Sequence, residues 1–185
     1  QREYKAFTHR QIGNIYKNLG QFSESLKSYQ EALKIHGTTS DSLDISNINR
    51  EIGLAFFLLQ QYDSAFYYYS SSYRISSTID DGQGMISASM GLGDIMYEQE
   101  RFNQAIFHYN NSERLSRLNN HTDGQINSLV KASRAYQQGQ AATAAEQLDR
   151  LARDYQHTKE IAEVHYLRGL CRTKTGQISA AAADF

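Results

Sequence analysis

The stretch REIGLAFFLLQQYDSAFYYY, residues 50–69, decides how this chain folds, because its pattern recurs 40 residues to either side. RQIGNIYKNLGQFSESLKSY occupies 10–29 and MGLGDIMYEQERFNQAIFHY occupies 90–109. In each copy a glycine (Gly13, Gly53, Gly93) follows an aliphatic residue (Ile12, Ile52, Leu92). An aromatic residue then opens the second half (Phe22, Tyr62, Phe102). A small residue (Ser25, Ala65, Ala105) comes next, with a tyrosine four positions later (Tyr29, Tyr69, Tyr109). A fourth copy keeps the phase in Ala132, Ser133, Tyr136 and Ala145, and a fifth follows a shorter step through Gly169, Gly176, Ala181 and Phe185. Self-similarity at this period implies stacked supersecondary units, none able to bury its apolar face alone.

Within each unit the apolar spacing is helical, and the chain reads as ten helices in five antiparallel pairs. The spacing predicts helices over 3–19 and 22–35, 42–59 and 62–77, 84–98 and 102–118, and 123–138 and 141–155. The last pair begins near Lys159, turns at Gly176 and runs to Phe185. Polar links, expected to be longer than the bends within pairs, join the units, and Asp41, Asp81 and Asp123 are placed to cap the helices that follow. Gly13, Gly53 and Gly93 imply close helix crossings, since glycine inside a helix costs about 1 kcal/mol relative to alanine. Tyr29, Tyr69 and Tyr109 should plug the gaps towards each next pair. In the run Phe66-Tyr67-Tyr68-Tyr69, the first and last are expected in the core and the middle two at least partly exposed. No proline, strand alternation or domain boundary interrupts the pattern. One domain over 1–185 is expected, with repeats at 3–37, 42–79, 82–118, 123–156 and 159–185.

Composition excludes several function classes. Nineteen basic against 20 acidic residues give a formal net charge of −1, without the basic face that nucleic acid or an anionic membrane requires. No apolar run reaches the roughly 20 residues of a membrane span. The lone Cys171 cannot form an internal disulfide and falls in an apolar helical stretch, where an inert buried thiol is expected. The six histidines include no pair four apart on a helix, and Asp154, His157 and His165 alone make a poor metal site. Gly82-Gln83-Gly84 and Gly91-Leu92-Gly93 lack the third glycine and the preceding strand of a phosphate cradle. No cofactor, metal or catalytic constellation is expected. The chain starts at Gln1 without methionine and stops at Phe185 inside a helical pattern, as a fragment of a longer protein would. Its compartment stays open, with cytoplasm favoured over periplasm.

Ile12-Gly13-x-x-Tyr16 with Ser25-x-x-x-Tyr29, Ile52-Gly53-x-x-Phe56 with Ala65-x-x-x-Tyr69, and Leu92-Gly93-x-x-Met96 with Ala105-x-x-x-Tyr109 resemble the tetratricopeptide repeat. Tyr166-x-x-Gly169 through Gly176 to Ala181-x-x-x-Phe185 is similar. Departures are the missing tryptophan, replaced by His9, Asn49, Ser89 and Leu129, the missing proline, and a period of 40 where about 34 is usual. Long repeats of this kind resemble those of bacterial signalling proteins and kinesin light chains. The resemblance implies an all-α fold, an α-solenoid of about five antiparallel helix pairs wound as a right-handed superhelix.

It also implies that the first helix of each pair lines a concave groove for peptides. Counted from each glycine, the groove positions are Arg10, Asn14 and Lys17; Asn47, Arg50, Leu54 and Phe57; Met90, Asp94 and Tyr97; and Asn127, Val130, Arg134 and Gln137. Arg10, Asn14 and Arg50 resemble part of a clamp for a terminal carboxylate, because guanidinium can donate two parallel hydrogen bonds. Glu51, Ser87 and Gly91 stand where the rest of that clamp would need amide or basic groups. The alternative is that Arg10 and Arg50 are solvated or pair with Glu3, Glu51 or Asp94. Phe57, Tyr97 and Met90 suit interface anchors, although Phe57 could simply pack on a neighbouring helix. The resulting expectation is a non-catalytic module binding a peptide or protein segment, the sensory or regulatory region of a larger bacterial signalling protein. The alternative is a scaffold mediating self-association or complex assembly. Neither involves nucleic acid or membrane contact.

Overall fold

A computed structural model describes residues 2–36, 42–139, 141–154, 156 and 161–185. Among them lie ten α helices and no strand. The helices are α1 (Arg2–Asn18), α2 (Phe22–His36), α3 (Ser42–Leu58), α4 (Tyr62–Thr78), α5 (Gly82–Glu98), α6 (Phe102–Leu118), α7 (Thr122–Gly139), α8 (Ala141–Asp154), α9 (Ile161–Lys174) and α10 (Ile178–Ala182). The expected all-α fold of consecutive helix pairs is what the chain adopts. None of these helices is long and apolar enough to cross a membrane. Asp41 and His157, singled out in the sequence, fall outside the described residues.

The 40-residue period has a simple anatomy. From α3 to α6 every helix is 17 residues long, and three residues separate each from the next. The links between pairs at 79–81 and 119–121 are therefore no longer than the bends within pairs, contrary to expectation. The extra residues of the long repeat lie in the helices. The bends within the first, second, third and fifth pairs end their helices by the same device. Gly20 takes φ 72°, and the N–H groups of Gly20 and Gln21 return to the carbonyls of Lys17 and Tyr16. This two-bond closure satisfies carbonyls that a helix end leaves orphaned. Gln60 and Glu100 repeat it at φ 58° without being glycine.

Two compact units make up the chain, Gln1–Ile95 and Met96–Phe185, each with its own core. In the first, Leu26, Tyr29 and Ala32 of α2 pack on Ile48, Ile52 and Ala55 of α3. Two of the repeated glycines, Gly13 and Gly53, are seats for tyrosine rings. A methyl on Gly13 would lie 2.5 Å from Tyr29 Cε1, and Ser25 Oγ donates to the Gly13 carbonyl at 2.9 Å. Tyr69 fits between two such seats, Gly53 of α3 and Gly91 of α5. Phe66, expected in the core, is 41% exposed. Its register matches the buried Leu26 and Ile106, but the larger ring reaches past the packed seam. Tyr68 fills the edge of this core instead, stacked on Phe56 at 5.4 Å.

Buried serines link neighbouring helices, within a pair and between pairs. Ser46 of α3 contacts the hydroxyls of Ser72 and Ser76 of α4 at 3.1 and 2.7 Å. Ser76 donates onward to Asp81, whose carboxylate accepts the Gly84 N–H at 3.0 Å and so caps α5 as expected. In the second unit Ser128 donates to Ser112 at 2.9 Å. There the cap of α7 is His121, whose Nδ1 accepts the Gly124 N–H at 2.9 Å. Asp123, the expected cap, already lies inside that helix, because the three-residue link puts the capping position at 121.

The core of the second unit joins Ile126 and Leu129 of α7, Leu148 and Leu151 of α8, and Val164, Leu167 and Cys171 of α9. Cys171 is buried, and burial pushes its thiol up from the ordinary range. The last pair is tied by charge. The buried Asp184 accepts from Arg168 Nε and Arg172 Nη1, both at 2.9 Å, while Asp149 of α8 accepts from Arg172 at 2.7 Å.

Candidate functional site

Each groove position can be followed along its helix. On α1, Arg10, Asn14 and Lys17 are half-buried, spaced three to four apart on one face. On α3, Asn47, Arg50, Leu54 and Phe57 form the corresponding half-buried stripe. Met90 and Asp94 of α5 continue it in register within the first unit.

Charge along the α1–α3 seam is internally paired. Arg10 donates to Asp44 at 2.6 Å, and Lys17 donates to Glu51 Oε2 at 2.6 Å. Arg50 takes the other oxygen of Glu51 at 3.0 Å. The carboxylate-clamp reading therefore meets an occupant: Glu51 already holds the two nearest cations. Of the pairings weighed for the arginines, Arg50–Glu51 forms, whereas Arg10 finds Asp44, an acidic partner not among those considered. Beneath them the Tyr29 hydroxyl donates to Asn14 Oδ1 at 2.7 Å, and Asn14 donates in turn to Gln11. Burial first, then Glu51, pushes the Tyr29 phenol up to about 12, with Arg50 and Arg10 opposing. Tyr69 is raised by burial, then by Asp94 and Glu51.

The apolar members of the stripe sit differently. Phe57 leans on Tyr62 at 5.9 Å with a 54° tilt and stays half-buried, so it packs on α4 and still shows surface. Phe7 was missed in the sequence. Its position matches Asn47 by the 40-residue register, and its half-exposed ring lies 5.7 Å from the Arg10 guanidinium. The signal was present in that register, but the glycine-based count began at residue 10.

In the second unit the expected positions differ more from one another in burial. Tyr97 is half-buried against Phe102 at 5.5 Å, and Asn127 is half-buried. Val130, expected in the groove, is 5% exposed and belongs to the core with Leu148 and Val164. An aliphatic residue at that register sinks inward where Arg10 and Arg50 reach out. Lys131, one position on, lies over the Tyr109 ring at 5.9 Å. Arg134 is exposed and paired with Glu163 of α9. The side chain of Gln137 lies outside the described residues. Among the described residues no three His, Cys, Asp or Glu side chains are placed to share a metal ion.

Comparison with known proteins fits this geometry. Two family models, each described as tetratricopeptide repeat, match residues 4–78, 44–117 and 129–185. No curated protein matches. Among solved structures, the nearly identical TPR-like repeats of a kinesin light chain from Podosopora anserina superpose with TM-score 0.82 at 14% identity. That match covers 100% of this chain and 92% of the other. Aspartyl phosphate phosphatase F from Bacillus subtilis gives TM-score 0.84 at 13% identity, covering 100% of this chain and 59% of that one. The Rap conjugation gene regulator of the plasmid pLS20, in complex with the Phr* peptide, gives TM-score 0.72 at 12% identity, covering 97% and 51%. At these identities the likeness concerns the fold. The family models span most of the sequence, and the chain belongs to the tetratricopeptide repeat family.

Proposed function

We propose that the first unit binds a peptide or protein segment along the stripes of α1, α3 and α5, and that the chain is a non-catalytic regulatory region of a bacterial signalling protein. Tetratricopeptide arrays are protein-interaction scaffolds, and the Rap regulator of the same fold was solved with a peptide bound. The observation that carries the proposal is the α1–α3 seam. Its cations are neutralised by Asp44 and Glu51, leaving Phe7, Leu54, Phe57 and Met90 as the unspent contact surface. Such a seam favours a ligand with apolar anchors over one ending in a bare carboxylate. Asn127 and Arg134 offer a more polar stripe in the second unit.

Selection from a random peptide library tests this. Peptides captured by the chain should be rich in large apolar residues. They should bind Phe57→Ala and Leu54→Ala at least about tenfold more weakly, as expected when an anchor is truncated. If both variants, shown folded by circular dichroism, keep every selected peptide, the groove is not the binding surface.

A further inference from the structure

We propose that the outer face of α4 is a self-association surface, on which two copies of this chain pair antiparallel through Asp63, Tyr67, Ser70 and Arg74. The buried residues of α4 are Ala65, Tyr69, Ser72 and Ser76, the stripe that the helix turns towards its own unit. Two positions away, across the helix, a second stripe runs through Asp63, Tyr67, Ser70 and Arg74 at the same spacings of four, three and four. Asp63 and Arg74 are exposed, Ser70 is half-buried, and Tyr67 is 66% exposed. Among the described residues neither Asp63 nor Arg74 has an ion pair within the chain. The Tyr67 ring meets Tyr68 edge-on, with centroids 5.2 Å apart at 88°, and Tyr68 is itself stacked on Phe56 of α3. A ring braced in this way loses little freedom on burial, which suits an interface anchor.

The occupant follows from the stripe itself. Spacings of four, three and four read the same from either end. A second α4 laid end to end against the first sets Arg74 beside Asp63 and Ser70 beneath Tyr67. Cation meets anion and the large ring meets the small side chain, and each contact is made twice. This is an isologous interface, in which one residue meets another and the same pair recurs across the twofold. Parallel pairing would bring like charges together and set ring against ring, so charge fixes the orientation. The matching positions on α2 are Ser23, Lys27, Gln30 and Lys34, and on α6 Asn103, Phe107, Asn110 and Arg114. Neither set contains an acid, so neither can complement itself in this way. With one helix on each side the contact is small, and the dimer belongs to the weak, transient class. No residue of the groove stripes takes part, so dimerisation and peptide binding are separate properties.

Sedimentation velocity of the chain over a range of concentrations tests this. A reversible monomer–dimer equilibrium is expected as the chain approaches millimolar concentration, weakening as salt rises. Tyr67→Ala should weaken it at least about tenfold. Asp63→Arg and Arg74→Asp, both at exposed positions, should each abolish it alone. The chain carrying both exchanges has the charge of the wild type and should dimerise again. Phe107→Ala, at the matching exposed position of α6, should leave the equilibrium unchanged. Circular dichroism establishes that each variant is folded. The proposal is overturned if the wild type stays monomeric at millimolar concentration or grows past a dimer. It is also overturned if the double exchange does not restore what the single exchanges lose, or if Phe107→Ala weakens the dimer as much as Tyr67→Ala does.

Discussion

Gly91 lies against the ring of Tyr69 so closely that a methyl there would sit 2.4 Å from Cζ. The ring cannot swing aside, because Gly53 confines its other end, where an added methyl would meet Cγ at 3.1 Å. Gly91→Ala should therefore destabilise the chain by about 1–3 kcal/mol through overpacking, despite alanine's advantage of about 1 kcal/mol in a helix. Urea unfolding measures this. Tyr69→Leu combined with Gly91→Ala should lose less than the two single changes summed, because the shorter side chain vacates the contested space.

Gln60 and Glu100 hold left-handed backbone at the positions where Gly20 and Gly176 end their helices. A residue with a Cβ costs about 1–2 kcal/mol there. Gln60→Gly and Glu100→Gly should each stabilise by about 0.5–1 kcal/mol, the remainder being lost to the greater freedom of glycine in the unfolded chain. Both midpoints of thermal unfolding should rise, and Gly20→Ala should move the other way.

Glu51 holds Lys17 and Arg50 together. Glu51→Gln frees both cations at a stability change within about 1 kcal/mol, since the pairs are partly exposed. Peptides ending in an acidic cluster should then bind more tightly, with affinity falling as salt is added. A wild type that binds such peptides as well as the variant does would show that Glu51 does not occupy the clamp.

Alkali should loosen the first unit in a defined window. The Tyr29 phenol is pushed up to about 12 from its ordinary 10. Tyrosine is charged when deprotonated, so from about pH 10 the unfolded chain releases a proton that the folded chain still holds. The stabilisation is whole below pH 10 and is lost as pH rises towards 12. Tyr29→Phe should make this fall shallower, the buried Tyr69 phenol keeping the rest, while costing about 1 kcal/mol at neutral pH for the bond to Asn14. Stability measured from pH 8 to 12 decides it.

Val130 and Leu54 were both expected in the groove, and their truncations should separate. Val130→Ala opens a gap beside Leu148 and Val164 and should lower stability by about 1–3 kcal/mol. Leu54→Ala, at a half-buried position, should cost less stability and more peptide affinity. Equal losses in both assays would erase the distinction between core and wall.

What the sequence made legible follows from what repetition encodes. Gly13 with Tyr29 and Gly53 with Tyr69 are contacts within one repeat, so copies 40 residues apart display them as a shared pattern. The helices were legible for the same reason. Side chains whose fate depends on size rather than phase were not: Phe66 shares its register with buried Leu26 and Ile106, yet its ring reaches solvent. Pairing was hidden too. Arg10 could have met several acids, and only the α1–α3 seam selects Asp44. His121 replaced Asp81 as a cap because an imidazole nitrogen can accept the same N–H bond, an equivalence that composition does not reveal.

The hydroxyls of Ser46, Ser72 and Ser76 act as the teeth of a ratchet. Apolar side chains alone would let α3 slip along α4 by one turn of about 5.4 Å with most of their burial preserved. The same slip would part these three groups inside a dry interior, and each unmade bond carries a penalty of about 1–3 kcal/mol. Helices that share one apolar register have several almost equivalent ways to misalign, and this small polar lock disfavours that slip.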